Sequence, residues 1–114
     1  MKNPSTSNEF FEQVLDVVKQ IPRGRVTSYG AIARFLGAAS SSRMVGYALN
    51  NLGHYDKHDI PAHRVVNRNG LLTGKVHFQS VSMEELLAQE GILVKENQVV
   101  DFEEKFWNPE CLLS

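Results

Sequence analysis

The chain has 114 residues and a formal net charge of −1; 42% of its residues are hydrophobic and 22% are charged. This length allows one small domain, residues 1–114, with one hydrophobic core. No apolar run approaches the roughly 20 residues that cross a bilayer, and residues 1–8 lack the apolar centre of a signal peptide. We therefore expect a cytoplasmic protein without membrane contact, with residues 1–8 flexible. The single cysteine, Cys111, excludes an internal disulfide and a cysteine-rich metal site.

Opposite charges are concentrated in two segments of the chain. Residues 23–75 contain eight basic and two acidic residues, a net charge of +6, whereas residues 84–110 contain two lysines and eight carboxylates, a net charge of −6. A basic segment indicates a polyanionic partner, and an acidic segment indicates a face turned away from it. Charge alone favours a simpler interpretation, two solvated faces of opposite sign.

The first predicted element is a helix over about Glu9–Gln20, ended by Pro22 and Gly24. An apolar stripe at helical spacing consists of Phe10, Val14, Val17 and Ile21. The candidates for the cap at its start are Thr6 with Glu9, Ser7 and Asn8.

Two short helices then follow with a tight turn between them. The first begins after Thr27 or Ser28 and stops at Gly37, and the second starts at Ser41 or Ser42. This pairing predicts a helix-turn-helix. The predicted inward-facing residues are Ile32, Phe35 and Leu36 in the first helix, and Val45, Leu49 and Leu52 in the second.

The second half of the chain predicts a turn, a helix and a hairpin. Asn67–Gly70 is the turn, and Ser82 with Glu85 forms a capping box for a helix that ends at Gly91. The two strands of the hairpin are predicted at Ile92–Val94 and Val99–Phe102, joined through Lys95–Gln98. The predicted fold is mostly α with a small β wing, a winged helix-turn-helix.

Four ordered motifs carry a resemblance to a known family: Ile21–Gly30 (IPRGRVTSYG), Arg43–Gly46 (RMVG), Pro61–Val65 (PAHRV) and Leu86–Gly91 (LLAQEG). In this order and spacing they resemble the DNA-binding domain of O6-alkylguanine-DNA alkyltransferases. The resemblance covers roughly Phe10 to Ile92. Several motifs in register are a far stronger signal than any one of them alone.

One position departs from the family pattern. The enzymes have their acceptor cysteine between the proline and the histidine of the third motif, and here that position is Ala62. A methyl group has no ionisable proton and no nucleophilic lone pair, so it cannot accept an alkyl group. Members without this cysteine are the alkyltransferase-like proteins. The resemblance therefore implies a non-enzymatic protein that flips O6-alkylguanine out of duplex DNA and flags it for nucleotide excision repair.

The resemblance also assigns DNA-binding roles. Arg43 corresponds to the arginine that inserts into the base stack, at a helix start where a cation costs about 0.3–1 kcal/mol. Tyr29 corresponds to the tyrosine that crowds the target phosphate, although a half-buried core aromatic would also explain it. Gly46 allows close approach either to DNA or to a neighbouring helix. Hydroxyl groups that could bind phosphates, or merely cap helices, belong to Thr27, Ser28, Ser41 and Ser42.

The lesion pocket implied by the resemblance is formed by Tyr29, Pro61, Ala62, His63, Val65 and Val66. His63 and Glu90 match the pair that helps to deprotonate the cysteine in the enzymes, and here we expect them to hold the pocket in shape. A metal site built from His54, His58 and His63 is disfavoured because the intervening residues predict a loop. We expect no catalytic residue, no metal and no cofactor.

Two other functional classes remain open. A sequence-specific winged-helix regulator would ignore the lesion, and it would have no use for the Pro-x-His-Arg segment or Glu90. An enzyme would use Cys111 to accept the alkyl group or His63 to activate water, although Cys111 lies outside every motif and is more simply a buried or incidental thiol. The expected partners are duplex DNA with O6-alkylguanine and nucleotide excision repair proteins, bound by a monomer.

Overall fold

The computed structural model describes residues 5–50, 60–73 and 82–113, with side chains from Glu9 onward. Most of the ordered elements are helical, and a small β wing accompanies them, as predicted. The helices are α1 (Ser5–Gln20), α2 (Tyr29–Phe35), α3 (Ser42–Asn50), α4 (Met83–Gln89) and α5 (Phe102–Lys105), with 3-10 turns at Ala62–Arg64 and Pro109–Leu113. The strands are β1 (Thr27–Ser28), β2 (Val65–Val66), β3 (Val94–Lys95) and β4 (Gln98–Val99).

Helix α1 is one turn longer at its start than predicted. It begins at Ser5, so the predicted caps among residues 6–8 lie inside the helix. Neither Gly nor Pro occurs between residues 5 and 20, so nothing in the sequence stops the helix at Glu9. Residues 1–4 lie outside the described residues. The predicted stripe is confirmed, since Val14, Val17 and Ile21 are buried and Phe10 packs against the same core.

The predicted helix-turn-helix is confirmed in α2 and α3. The Ser28 hydroxyl caps α2 by accepting a hydrogen bond from the Ala31 amide at 3.1 Å. Gly37, at φ +77°, ends α2 in the left-handed conformation, and the next amide, that of Ala38, donates back to the Ala33 carbonyl. In α3, Val45 is buried and Leu49 half-buried. The predicted Leu52 lies outside the described residues.

A parallel strand pair, absent from the sequence prediction, joins two of the motifs. Thr27 pairs with Val65 and Ser28 with Val66, so the segment before α2 lies beside the segment after the Pro-x-His-Arg motif. On the other side of β1, Val26 exchanges two backbone hydrogen bonds with the C-terminal segment: its amide donates to the Lys105 carbonyl, and its carbonyl accepts from the Trp107 amide. These pairings join residues that are far apart in the chain, so no local sequence pattern predicts them.

The predicted β wing is present but shorter than expected. Strands β3 and β4 are joined by Glu96 and Asn97, both at positive φ, as in the tight turns that match strand twist. Asp101 is left-handed at φ +57°, and Phe102 begins α5, so the strand predicted to reach Phe102 ends at Val99. The predicted capping box of Ser82 and Glu85 is confirmed at the start of α4.

Two groups of buried apolar residues form the core. The larger one joins α1, α2 and α3 to the segment before β2, with Trp107 packed against it. The smaller one joins Val26 and Val66 to α4 and the wing. Among the described residues, no helix combines the length and apolar character needed to span a bilayer.

Candidate base pocket and nucleic-acid interface

The Pro-x-His-Arg motif forms a 3-10 turn that leads directly into β2. Ala62 starts this turn and is half-buried, with its methyl group against the larger core group. The next two side chains, His63 and Arg64, are 13% and 15% exposed. Position 62, which the sequence resemblance aligns with the acceptor cysteine, therefore carries only a methyl group in a half-buried place.

Glu90 gathers the groups around this turn. Its side chain is 4% exposed, and its Oε2 atom lies 2.6 Å from His63 Nε2 and 2.8 Å from Arg64 Nη2. Arg64 Nε donates to Oε1 at 2.9 Å, and so does the Gly24 amide at 2.9 Å. Arg64 also donates from Nη1 to the Ile21 carbonyl at 2.8 Å. One carboxylate thus ties the end of α4 to the 3-10 turn and to the segment that follows α1.

The protonation states follow from these contacts. Burial raises the pKa of Glu90, but the hydrogen bonds from Arg64, the Gly24 amide and His63 outweigh it and lower the pKa to about 2. Burial lowers the pKa of His63, and the hydrogen bond to Glu90 opposes that shift without reversing it. An ionised carboxylate can only accept, so His63 carries its proton on Nε2 and leaves Nδ1 as an acceptor. The imidazole is neutral at pH 7.

Arg43 and Gly46 lie on an open part of α3. Arg43 is exposed, in the first turn of the helix, and it forms no salt bridge within the residues that the structure describes. A Cβ atom added to Gly46 would meet nothing within 4 Å in the described part of the chain. Among the described residues, close packing against a neighbouring helix, one of the two interpretations of Gly46, therefore has no support.

Comparison with known proteins identifies the family of the chain. Residues 9–92 match the family model described as the DNA-binding domain of 6-O-methylguanine DNA methyltransferase. The chain belongs to this family. The resemblance seen in the four sequence motifs is confirmed.

Relatives in this family include proteins named for binding rather than for transfer. The chain is 33% identical to alkyltransferase-like protein 1 of Schizosaccharomyces pombe over 107 residues, which cover 90% of this chain and 97% of that protein. It is 35% identical to a DNA base-flipping protein of Vibrio parahaemolyticus over 102 residues, covering 90% and 99%. Its fold is similar to S. pombe Atl1 in complex with damaged DNA containing O6-carboxymethylguanine, with a TM-score of 0.73, 29% identity, and coverage of 94% of this chain and 98% of that chain.

Within this family fold, some hydroxyl groups predicted to contact phosphates are not accessible. Thr27 is 0% exposed in β1, so its side chain cannot contact DNA in this conformation, and its Oγ1 atom has no hydrogen-bond partner among the described residues. Ser28 is 6% exposed, and its hydroxyl caps α2. Ser41 is half-buried and Ser42 is exposed at the start of α3. Only these two of the four predicted hydroxyl residues face solvent.

The predicted pocket residues also divide by exposure. Val65 and Val66 are both 0% exposed, so they lie within the core and cannot line the predicted pocket. Pro61 and Ala62 are half-buried and remain candidates for its wall. Tyr29 is half-buried at the start of α2; burial raises the pKa of its phenol, and a side-chain hydrogen bond with Thr73 opposes this.

Other candidate sites lie apart from this region. Cys111 is a free, exposed thiol in the last 3-10 turn, so of the two expected roles, a buried thiol or an incidental one, the buried thiol is excluded. His54 and His58 lie outside the described residues. Elsewhere in the chain, in the parts that are described, no three His, Cys, Asp or Glu side chains come close enough to hold a metal ion.

Sequence reasoning missed two of the partners of Glu90. Arg64 was recognised only as part of a motif, and the Gly24 amide was recognised only as a helix stop. The signal for Arg64 is its position next to a histidine expected to be buried, because a buried guanidinium requires a carboxylate. The contact of the Gly24 amide depends on a pairing across 66 residues, which no local pattern contains.

Proposed function

We propose that this protein binds duplex DNA that contains O6-alkylguanine, flips the modified nucleotide into the pocket beside Ala62, and holds it without removing the alkyl group. The observation that carries the proposal is the complete frame of Glu90, His63 and Arg64 around a position that has no nucleophile. In a DNA-binding domain of this family, such a frame supports recognition without transfer.

The absence of transfer chemistry follows from the side chains present. Ala62 provides only a methyl group, which cannot displace an alkyl group from oxygen. Cys111 belongs to the last 3-10 turn, which contacts α2, and it is not among the groups around Glu90. Water activated by His63 is a poor alternative, because cleavage of an alkyl ether needs far more activation than one neutral imidazole supplies.

The helix-turn-helix provides the surface for DNA. Exposed Arg43 supplies a planar guanidinium that can stack in the space vacated by the flipped base. The open surface at Gly46 lets the sugar-phosphate backbone approach α3. Flipping costs a few kcal/mol and is easiest for a poorly paired base, and an O6-alkylated guanine pairs poorly. The lesion therefore contributes to its own selection.

Repair would then depend on other proteins. A bound but unaltered lesion remains in the DNA, so we propose that nucleotide excision repair proteins act on the complex formed by a monomer of this chain. The relatives' names, alkyltransferase-like protein and DNA base-flipping protein, support the proposal that the chain exposes the modified base to other proteins and does not remove the alkyl group itself.

The experiment that tests the proposal is competitive binding at defined salt. Two duplexes of identical sequence carry either guanine or O6-methylguanine, and the modified strand is digested and analysed afterwards. We expect much tighter binding to the modified duplex and recovery of all of the methylated base. Equal binding to both duplexes would contradict lesion recognition and favour a winged-helix regulator, and loss of the methyl group would contradict the absence of transfer.

A further inference from the structure

Two surface segments leave the same edge of the β1–β2 pair. The strands are parallel, with Ser28 opposite Val66, so their carboxyl ends meet at one edge. From that edge, β1 continues into Tyr29 at the start of α2, and β2 continues into the turn Asn67–Gly70. Thr73, just beyond the turn, reaches the Tyr29 side chain. The turn therefore lies beside Tyr29. The family resemblance assigns Tyr29 to the phosphate of the target nucleotide.

This turn is held by hydrogen bonds on both of its sides. The Asn67 carbonyl accepts from the Gly70 amide at 2.9 Å, and the Asn67 Oδ1 atom accepts from the amides of Asn69 at 2.8 Å and Leu71 at 2.9 Å. From the wing, Gln98 Nε2 donates to the Asn69 carbonyl at 2.6 Å. These bonds leave the turn little conformational freedom.

The aromatic ring of Phe102 packs against the turn at Gly70. Gly70 is buried at φ +83°, and a Cβ atom there would lie 3.0 Å from the Phe102 ring. Phe102 in turn meets Phe106 edge to face, with ring centroids 5.7 Å apart. Because Val26 pairs with Phe106, the C-terminal segment braces both β1 and the turn that follows β2.

Arg68 projects from this rigid turn. Its side chain is exposed, and it forms no salt bridge with any carboxylate in the described ranges, although the acidic wing residue Glu96 belongs to the hairpin that supports the turn. Arg64, only four residues earlier, is fully engaged with Glu90. A guanidinium on a preorganised backbone loses less freedom on binding than one on a mobile loop.

We propose that Arg68 binds a backbone phosphate of duplex DNA, beside the nucleotide that Tyr29 helps to displace. The planar, forked guanidinium matches a phosphate through two parallel hydrogen bonds. Phe102 is a positioning residue for this contact, since it holds the turn and does not touch DNA itself. The contact is independent of sequence and fixes the register of the protein on the duplex. The position of the phosphate beside the flipped nucleotide rests on the proposed function, whereas the phosphate contact itself does not.

The first test is the salt dependence of binding to an undamaged duplex and to the same duplex with O6-methylguanine. The logarithm of the binding constant falls with the logarithm of the salt concentration, and loss of one phosphate contact reduces the steepness of that fall by about 0.9. We expect R68A to show this drop, and the same fold-loss of affinity, on both duplexes, and we expect R68K to keep most of the slope. The matched control is K19A, which removes an exposed cation in the last turn of α1, outside the helix-turn-helix and the strand pair. An R68A slope equal to the wild-type slope would overturn the proposal, and so would an equal drop for K19A.

The second test locates the phosphate. A series of modified duplexes each has one phosphate near the lesion replaced by an uncharged methylphosphonate. We expect one replacement to weaken the wild type but to leave R68A unaffected, while R43A stays sensitive to it. If no replacement distinguishes R68A from the wild type, the contact does not exist. If the wild type binds both duplexes equally in the first test, the lesion proposal fails, yet the R68A slope still decides the phosphate contact.

Discussion

The Nε2 atom of His63 lies 2.6 Å from the Oε2 atom of Glu90, and neither side chain is more than 13% exposed. Because Glu90 is ionised, it fixes the imidazole proton on Nε2. The 3-10 turn that carries His63 begins with Ala62. Beside Ala62 there is no thiol, and the pair together with Arg64 holds the turn that precedes β2.

Replacing Glu90 should lower stability in a pH-dependent way. The pKa of Glu90 falls from 4.5 to about 2 on folding, so the carboxylate contributes stability that is complete above pH 4.5 and is lost as the pH falls toward 2. That shift corresponds to about 3 kcal/mol at pH 7. We expect Glu90→Gln to lower the free energy of unfolding by this order at pH 7, and by less than half as much at pH 3, as measured by urea denaturation.

The control for Glu90 lies on the same helix. Glu84 is exposed in the first turn of α4, and Glu84→Gln should change stability by less than about 0.5 kcal/mol at either pH. An equal effect of both substitutions would show that the Glu90 network contributes nothing specific.

The ionisation of His63 should depend on Glu90. Burial lowers the pKa of His63 from 6.5, while the hydrogen bond and the charge of Glu90 raise it. Removal of that charge in Glu90→Gln should therefore lower the pKa of His63 further. NMR titration of the imidazole resonances measures this, with His63→Gln used to assign the signal among the four histidines. An upward shift in Glu90→Gln would contradict the assigned geometry.

Arg43→Ala should abolish preference for the lesion while leaving the fold intact. The side chain is exposed and makes no salt bridge among the described residues, so unfolding should be unchanged. Loss of stacking in the vacated space should weaken binding to O6-methylguanine duplex by about 10- to 100-fold, of the order of stacking energies measured for bases. Competitive binding checks this, with K19A as the charge control. Retained preference would eliminate Arg43 as the wedge.

Gly46→Ala separates stability from binding. Glycine within a helix costs about 1 kcal/mol relative to alanine, and a Cβ atom at this position meets nothing within 4 Å in the described structure. We expect the variant to be as stable as the wild type or more so in thermal unfolding. Binding to damaged and undamaged duplex should nevertheless weaken, because the added methyl group would stand where we propose that the DNA backbone approaches α3. Unchanged binding would mean that this part of α3 does not face DNA.

Local sequence patterns were sufficient to predict most of the helices. The stripe containing Val14 and Val17, the Ser28 cap and the Ser82–Glu85 capping box each act within a few residues, and each is found in the structure. The predicted element boundaries differ from the observed ones where a residue can join either of two neighbouring elements. Phe102 has strand propensity, yet left-handed Asp101 turns the chain before it, and Phe102 starts a helix.

The four motifs determined the family, and the sequence by itself places an alanine at position 62, because the identity of a side chain can be read directly from the sequence. Tertiary structure decided which candidates are accessible. Thr27 and Val65 are enclosed by a parallel strand pair that joins residues 38 positions apart in the chain, and Arg68 and Tyr29 both follow the carboxyl end of the same pair. Glu90 meets the Gly24 amide across 66 residues. Burial, hydrogen-bond partners and exposed charge arise from such long-range contacts, and they are set by the packing of the whole core.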